Sequence, residues 1–236
     1  MSIKLSFFNS FQSLFLKNYN LIFRASYKYK LNSIILKIKK KININYVFDI
    51  GAHKGDFSFF LSKTCLKNSK FFLFEANSEH EKKLASTNFR YFINVLSNKK
   101  KLVNFYKKNL TGDSYYKQFD KLYQKKDRVK IYTTTVDYLV RKFNLPNPDF
   151  IKIDTQGSEI DILKGSKSIL KNTKLVYLEC PIINLNIGAP DLKKYIQYLN
   201  SINFYPYDIC QVHHYQKRLI QIDIIFINKK YYKMIK

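Results

Sequence analysis

Two carboxylates and three histidines in this chain are placed to move a proton. Asp154 closes the apolar run Phe150–Ile153, Glu179 closes Leu175–Leu178, His53 lies between two glycines, and His213-His214 form an adjacent pair. A carboxylate or imidazole within reach of a hydroxyl can take its proton during reaction. Asp154 leads on position, because open α/β sheets bind ligands beyond the C-terminal ends of their strands. Lys152, two residues earlier, shares its face of that strand. A competing reading makes Asp154 a structural acid for the backbone amides of the 155–157 turn. Glu159, at the start of the next helical pattern, reads as a cap or dipole partner. His213 and His214 read as part of a polar loop before the last strand. No carboxylate–histidine cluster has metal-ligand spacing along the chain, so no metal is implied.

The second group of chemical residues is Val47-Phe48-Asp49-Ile50-Gly51-Ala52-His53-Lys54-Gly55-Asp56. An apolar strand runs through an acid into a glycine, with another glycine four positions on and a helical pattern behind it. Gly51 can turn with positive φ, and Gly55 lets the helix start approach a ligand. The next apolar run, Phe71–Phe74, ends in Glu75, placed to bind ribose hydroxyls. The spacing G-x-x-x-G is not the dinucleotide fingerprint, and Gly55 is not followed by Lys-Ser/Thr as a P-loop requires. Acids at Asp49 and Asp56 make a poor phosphate cradle and suit a nucleoside with a positive charge, such as S-adenosylmethionine.

These residues need strands and turns to hold them. Strands are expected at Tyr46–Ile50, Phe71–Glu75, Tyr91–Val95, Phe150–Asp154 and Leu175–Glu179, with closing strands at Phe204–Ile209 and Gln221–Ile227. Helices are expected at Asp56–Leu66, from Ser78 as N-cap with Glu81 three residues on, at Val136–Phe143 and at Pro190–Ser201. Leu102–Tyr106 and Val129–Thr134 alternate like strands and flank a basic, Tyr-rich insertion. Strands alternating with helices define an α/β sheet. A helical extension over residues 1–45 precedes a domain over residues 46–236.

The chain resembles the FkbM family of S-adenosylmethionine-dependent methyltransferases over roughly residues 45–228. The resemblance rests on the Asp49–Asp56 turn, Phe74-Glu75-Ala76-Asn77, Asn94-Val95-Leu96-Ser97, Thr133–Leu139 and the block Lys152–Gly165, with Leu178-Glu179 and Asp223-Ile224-Ile225-Phe226 also fitting. His53, where the family often has Asn, and Cys180-Pro181 after Glu179 depart from the pattern. The resemblance implies a Rossmann-like class I methyltransferase fold: a mostly parallel seven-stranded sheet flanked by helices. It implies S-adenosyl-L-methionine as cofactor, with Gly51, Ala52, His53 and Gly55 at its methionyl part, and Asp49 holding the turn or the methionine ammonium. Glu75 would take the ribose diol, Leu96 and Ser97 would border the adenine, and Asp154 would stand near the sulfonium and the acceptor. Catalysis would draw on Asp154, Glu179 and His213. The family's acceptors are mostly sugar hydroxyls of polysaccharides, glycolipids or glycosylated natural products, and the insertion at residues 99–130 could hold an anionic part of such a molecule.

Composition bounds the alternatives. At 236 residues with 46% hydrophobic content, the chain is long and apolar enough for one globular domain. Cys65, Cys180 and Cys210 fit neither a zinc pattern nor a disulfide framework, which points to a reducing cytoplasm. Basic residues outnumber acidic ones 42 to 17, a net charge of +25. The excess concentrates in residues 1–45, with eight Lys, one Arg and no acid, and in residues 99–130, with eleven basic residues. Abundant Lys, Asn, Ile and Tyr also follow from an AT-rich genome. Such surfaces attract anionic membranes, nucleic acid or acidic glycans.

Phe8, Phe11, Leu14, Phe15, Ile22 and Phe23 recur near helical spacing, which suits either the interface of an anionic membrane or packing on the domain, the latter favoured. Asn9, Ser10, Gln12 and Ser13 interrupt any signal-peptide core, and no run of 18 apolar residues exists. The expected place is the cytoplasm, with the inner membrane face as an option. Two other readings stay open: an RNA ribose methyltransferase, and a non-catalytic membrane- or nucleic-acid-binding protein on the same fold. Asp154-Thr155-Gln156-Gly157 is not the strand end used for base methylation, which lowers the RNA reading.

Overall fold

The structure is a computed structural model that describes residues 28–107, 113–117, 128–183 and 186–235. Its main sheet holds β1 (Tyr46–Ile50), β2 (Lys70–Glu75), β3 (Arg90–Ile93), β6 (Phe150–Ile153), β7 (Leu175–Pro181), β8 (Phe204–Tyr215) and β9 (Arg218–Asn228). The strand order is β3-β2-β1-β6-β7-β9-β8. The strands from β3 to β7 pair in parallel, and β9 runs antiparallel to both β7 and β8. This is the mostly parallel seven-stranded sheet expected from the sequence. The order reverses between β1 and β6, so a crevice opens beyond their C-terminal ends.

The central strands are apolar at nearly every position because both faces of the sheet are covered. Phe48, Phe72, Ile151, Val176 and Phe226 point to one core, and Val47, Phe71, Phe150, Leu175 and Ile227 to the other. The second face also carries a polar row. Asp49, Lys152, Tyr177 and Asp223 are all buried there. The row breaks the apolar pattern beside the C-terminal ends of β1, β6 and β7, where the site lies.

Helix α1 (residues 28–39) buries Leu31, Ile34, Ile35 and Ile38 against the second core. Spacings of three and four put these on one stripe. The part of the N-terminal extension that the structure describes therefore packs on the domain; the Phe8–Phe23 pattern lies outside the described residues. Helix α2 (Asp56–Lys63) follows β1, a 3-10 turn at Ser78–His80 leads into α3 (Glu81–Ala85), and α4 (Val136–Lys142) precedes β6. Helices α5 (Glu159–Lys164) and α6 (Lys167–Leu170) connect β6 to β7, α7 (Leu192–Ser201) precedes β8, and α8 (Lys229–Ile235) follows β9. Strands β4 (Leu102–Tyr106) and β5 (Arg128–Tyr132) form a separate antiparallel pair.

Two local expectations change. Ser78 does not cap a helix; Asn77 does so one residue earlier, its side chain accepting from the Glu79 amide at 3.1 Å. Gly165, which ends α5 at φ −84°, is a glycine for reasons of space, since a Cβ would meet the Ser97 carbonyl oxygen at 2.1 Å. His213 and His214 lie in a strand, because β8 runs on to Tyr215. The hairpin to β9 turns through Gln216 and Lys217, both with positive φ. That turn ordinarily advertises itself with Asn-Gly or Asp-Gly, and here it does not. Among the described residues no helix is long and apolar enough to cross a membrane.

Candidate active site

The crevice at the β1/β6 reversal is a cavity of about 380 Å³. Gly51 forms its floor, with φ +72°. A Cβ there would meet the Asp154 carbonyl oxygen at 1.9 Å, so the ends of β1 and β6 come together only over a glycine. The Gly51 and Ala52 amides both donate to the Phe74 carbonyl, at 2.9 and 3.1 Å, and the Gly51 carbonyl accepts from Lys152 Nζ at 2.7 Å. The turn therefore shapes the cavity floor without offering these groups to a ligand. Gly55, expected to approach a ligand, is instead the left-handed residue before α2, and a Cβ on it would press on Leu73. Ala52 and Gly55 do not line the cavity.

Asp49 holds the turn. It is fully buried, accepts from Ser58 Oγ at 2.7 Å and pairs with Lys152 Nζ at 3.1 Å. A buried carboxylate is retained only when it is bonded and paired in this way. It does not line the cavity, so the alternative contact with a ligand's ammonium has no support in its position.

Glu75 does line the cavity. Its carboxylate accepts from the amides of His53 at 2.6 Å, Ala76 at 2.9 Å and Asn77 at 2.8 Å. Three amide donors fix its orientation and leave an acceptor site of a carboxylate's four for a ligand hydroxyl. His53 and His80 stack edge to face at 4.1 Å on the same rim. Leu96 is part of the apolar wall, whereas Ser97 sits behind it, fully buried, with its hydroxyl 3.1 Å from Tyr115 Oη.

Among the described residues, the insertion contributes part of the cavity wall. Asp113, Ser114 and Tyr115 line the cavity from the segment between β4 and β5. Asp113 accepts from Asn77 Nδ2 at 2.7 Å, Ser114 Oγ donates to the Gln156 carbonyl at 2.9 Å, and Tyr115 Oη donates to Asp161 at 3.0 Å. Burial pushes the Tyr115 phenol up, so it stays a neutral donor. Residues 108–112 and 118–127, which hold much of the insertion's charge, lie outside the described residues.

The backbone amides of the turn after β6 do not bind Asp154. Glu159 accepts from Thr155 N at 2.9 Å, from Gly157 N at 3.0 Å and from the Tyr195 hydroxyl. Asp154 is left with Gln156 Nε2 at 3.4 Å and Lys152 Nζ at 3.6 Å, and its side chain is 38% exposed. Its side chain therefore faces space, and Glu159 holds the turn.

Asp154 and Glu179 also line a second cavity of about 260 Å³, on the face covered by α1 and α2. Phe57, Phe60, Tyr177 and Gln211 contribute to its walls, and Lys28 reaches it from α1. Glu179 accepts from Gln156 Nε2. Burial, with the charges of Asp154, Asp223 and Glu159 around it, holds its carboxyl well above the usual carboxylate range. His213 Nε2 lies 3.0 Å from Asp223, and Tyr177 Oη donates to the other oxygen of Asp223 at 2.7 Å. Burial lowers the His213 pKa, but the bond and charge of Asp223, with Asp154 beyond, outweigh it and leave the imidazole above its ordinary value. His214 points outward and is exposed.

Sequence spacing suggested no metal-ligating cluster, yet the sheet gathers one. Ligand atoms of Glu179, His213 and Asp223 lie within 4.8 Å of one another. Asp223 was visible as an acid inside an apolar strand, but its partners come from β7 and β8. Nothing local flagged Asp113, Tyr115 or Phe60.

The residues present fit S-adenosylmethionine. In a chain with 42 basic and 17 acidic residues, the 380 Å³ cavity carries the carboxyl groups of Glu75, Asp113, Asp154 and Glu179 and, among the described residues, no lysine or arginine. Such a lining selects for a cation and against a phosphate. Glu75 would hold the ribose, Leu96 and Ile162 the adenine wall, and Asp154 the side where the sulfonium lies.

Several solved structures resemble this chain. The chain is 17% identical to the FkbM methyltransferase of Methylobacillus flagellatus, with a TM-score of 0.50 over 78% of this chain and 43% of that one. It therefore spans less than half the length of that relative. It is 10% identical to the magnesium protoporphyrin IX methyltransferase of Synechocystis with bound SAM, with a TM-score of 0.48 over 87% and 81% of the two chains. It is 15% identical to a putative RNA methyltransferase of Pyrococcus horikoshii, with a TM-score of 0.44 over 84% of each. No curated protein matches the sequence. Residues 49–206, two-thirds of the chain and all of the donor cavity's framework, match the model of the methyltransferase FkbM domain, and the chain belongs to that family.

Proposed function

We propose that this chain is an S-adenosylmethionine-dependent O-methyltransferase acting on a sugar hydroxyl of a cell-surface polysaccharide, glycolipid or related glycan precursor. The observation that carries the reading is the position of Asp154 on both cavities, with its expected backbone duty taken by Glu159. One cavity suits the cationic donor. The other, at about 260 Å³, falls below the ~300–1,000 Å³ of sites that enclose a drug-sized ligand, so it takes one end of an acceptor. Aromatic faces at Phe57 and Phe60 with polar tips at Tyr177 and Gln211 are the surroundings a polyol needs.

The cofactor supplies an electrophilic methyl group on a sulfonium. The chain's own contribution is alignment and proton removal. Asp154 accepts the acceptor's hydroxyl proton as the oxygen is methylated. Lys152 holds Asp154 at 3.6 Å while tied to Asp49 and the Gly51 carbonyl, which fixes the carboxylate relative to the donor floor. Asp113 and Tyr115 complete the wall of the donor cavity.

The test is transfer of labelled methyl from S-adenosylmethionine to a panel of sugars, nucleotide sugars and isolated glycans, with RNA alongside. Label in a glycan, lost in Asp154→Asn, supports the reading. Label in RNA alone overturns the acceptor assignment.

A further inference from the structure

Three neighbouring strands of the sheet bring an imidazole and two carboxyl groups to one point. Glu179 on β7 stands directly opposite Asp223 on β9 in their antiparallel pairing, so both side chains leave the same face. His213 comes from β8, the strand on the other side of β9. Their ligand atoms lie within 4.8 Å of one another. Two ligands on one ion at about 2.1 Å are at most about 4.2 Å apart, so closure from within 4.8 Å asks for a shift of under an ångström.

The surroundings are those of a metal centre. Tyr177 Oη donates to the Asp223 oxygen that His213 does not face, at 2.7 Å, and Gln156 Nε2 donates to Glu179. Such partners orient ligating carboxylates. All three residues open onto the second cavity, so three protein ligands would leave coordination positions for an acceptor. Lys152, which also lines that cavity, is tied to Asp49 and the Gly51 carbonyl.

We infer that Glu179, His213 and Asp223 bind one divalent cation, of the class that accepts one imidazole and two carboxylates in six-fold coordination, with its free positions facing the acceptor. Its service to the acceptor, by holding an oxygen of a vicinal diol, rests on the acceptor cavity proposed above; the binding of the ion does not.

The experiment is titration of the chelator-treated full chain with Mn²⁺, followed by electron paramagnetic resonance, beside calorimetric binding of S-adenosylmethionine to the same samples. The expected result is one Mn²⁺ per chain, with affinity at least about ten-fold weaker in His213→Gln and in Asp223→Asn, neither of which lines the donor cavity, while cofactor binding is kept. Kept cofactor binding certifies the fold of each variant, and two independent ligand variants guard against loss of either. Wild-type protein that binds cofactor but takes up no Mn²⁺, or takes it up equally in both variants, overturns the inference. Failure to methylate any glycan, with Mn²⁺ bound at these residues, would instead overturn only the acceptor reading.

Discussion

Gly51 and Asp154 face each other across the strand-order reversal so closely that a single added methyl group on Gly51 would lie 1.9 Å from the Asp154 carbonyl oxygen. The cavity floor and Asp154, proposed above to take the proton, are thus one unit, joined where β1 and β6 end. Replacing Gly51 by alanine puts a side chain at φ +72° and into backbone that cannot yield. Gly51→Ala should lower S-adenosylmethionine affinity by at least ten-fold and reduce the melting temperature, read by calorimetry and thermal unfolding.

Asp154→Asn keeps the shape of the carboxylate and removes its ability to take a proton. The expected loss is about 10²–10⁴-fold in kcat, with cofactor affinity changed by less than a few-fold. A binding titration beside a rate measurement separates the two. An equal loss of cofactor binding would show Asp154 to be a donor-site residue only.

Glu159 organises the turn that Asp154 sits on. Alanine at this position would strand the buried Gly157 amide and the Thr155 amide, along with the Tyr195 hydroxyl. Each buried group left without a partner costs about 1–3 kcal/mol. Denaturant unfolding of Glu159→Ala should therefore show a loss of about 2–5 kcal/mol. A loss near zero would mean that the turn is held by other contacts.

The three cysteines offer a pH test of burial. All are buried, and burial pushes every thiol up, Cys210 to about 12. A raised thiol pKa means less thiolate at any given pH. Alkylation by iodoacetamide should therefore stay slow through about pH 8.5, where an ordinary thiol is half ionised, and rise only in denaturant. Mass spectrometry of the labelled native chain checks this.

Much of this architecture is legible in the sequence because fully covered strands must be apolar. Runs such as Phe71–Phe74 and Phe150–Ile153 admit no other place in an α/β fold. Glu75 and Asp154 are legible for the opposite reason: an acid that ends an apolar run sits at the mouth of the sheet. What is not legible depends on distant pairing. The β8–β9 hairpin turns on Gln216 and Lys217, which carry no turn signature, so His213 reads as a loop residue until β9 sets it beside Asp223. Glu159 could be read as a cap, but only the fold shows it relieving Asp154. Asp113 and Tyr115 reach the cavity through contacts with Asn77 and Asp161, far along the chain.

The central claim is that the acid-lined crevice binds the methyl donor through Glu75. Calorimetric titration of the purified chain with S-adenosylmethionine and S-adenosylhomocysteine, beside Glu75→Ala, tests it most directly. The account predicts micromolar binding of both ligands by the wild type and its loss in a Glu75→Ala protein that still unfolds cooperatively. A folded wild type that binds neither ligand would contradict it.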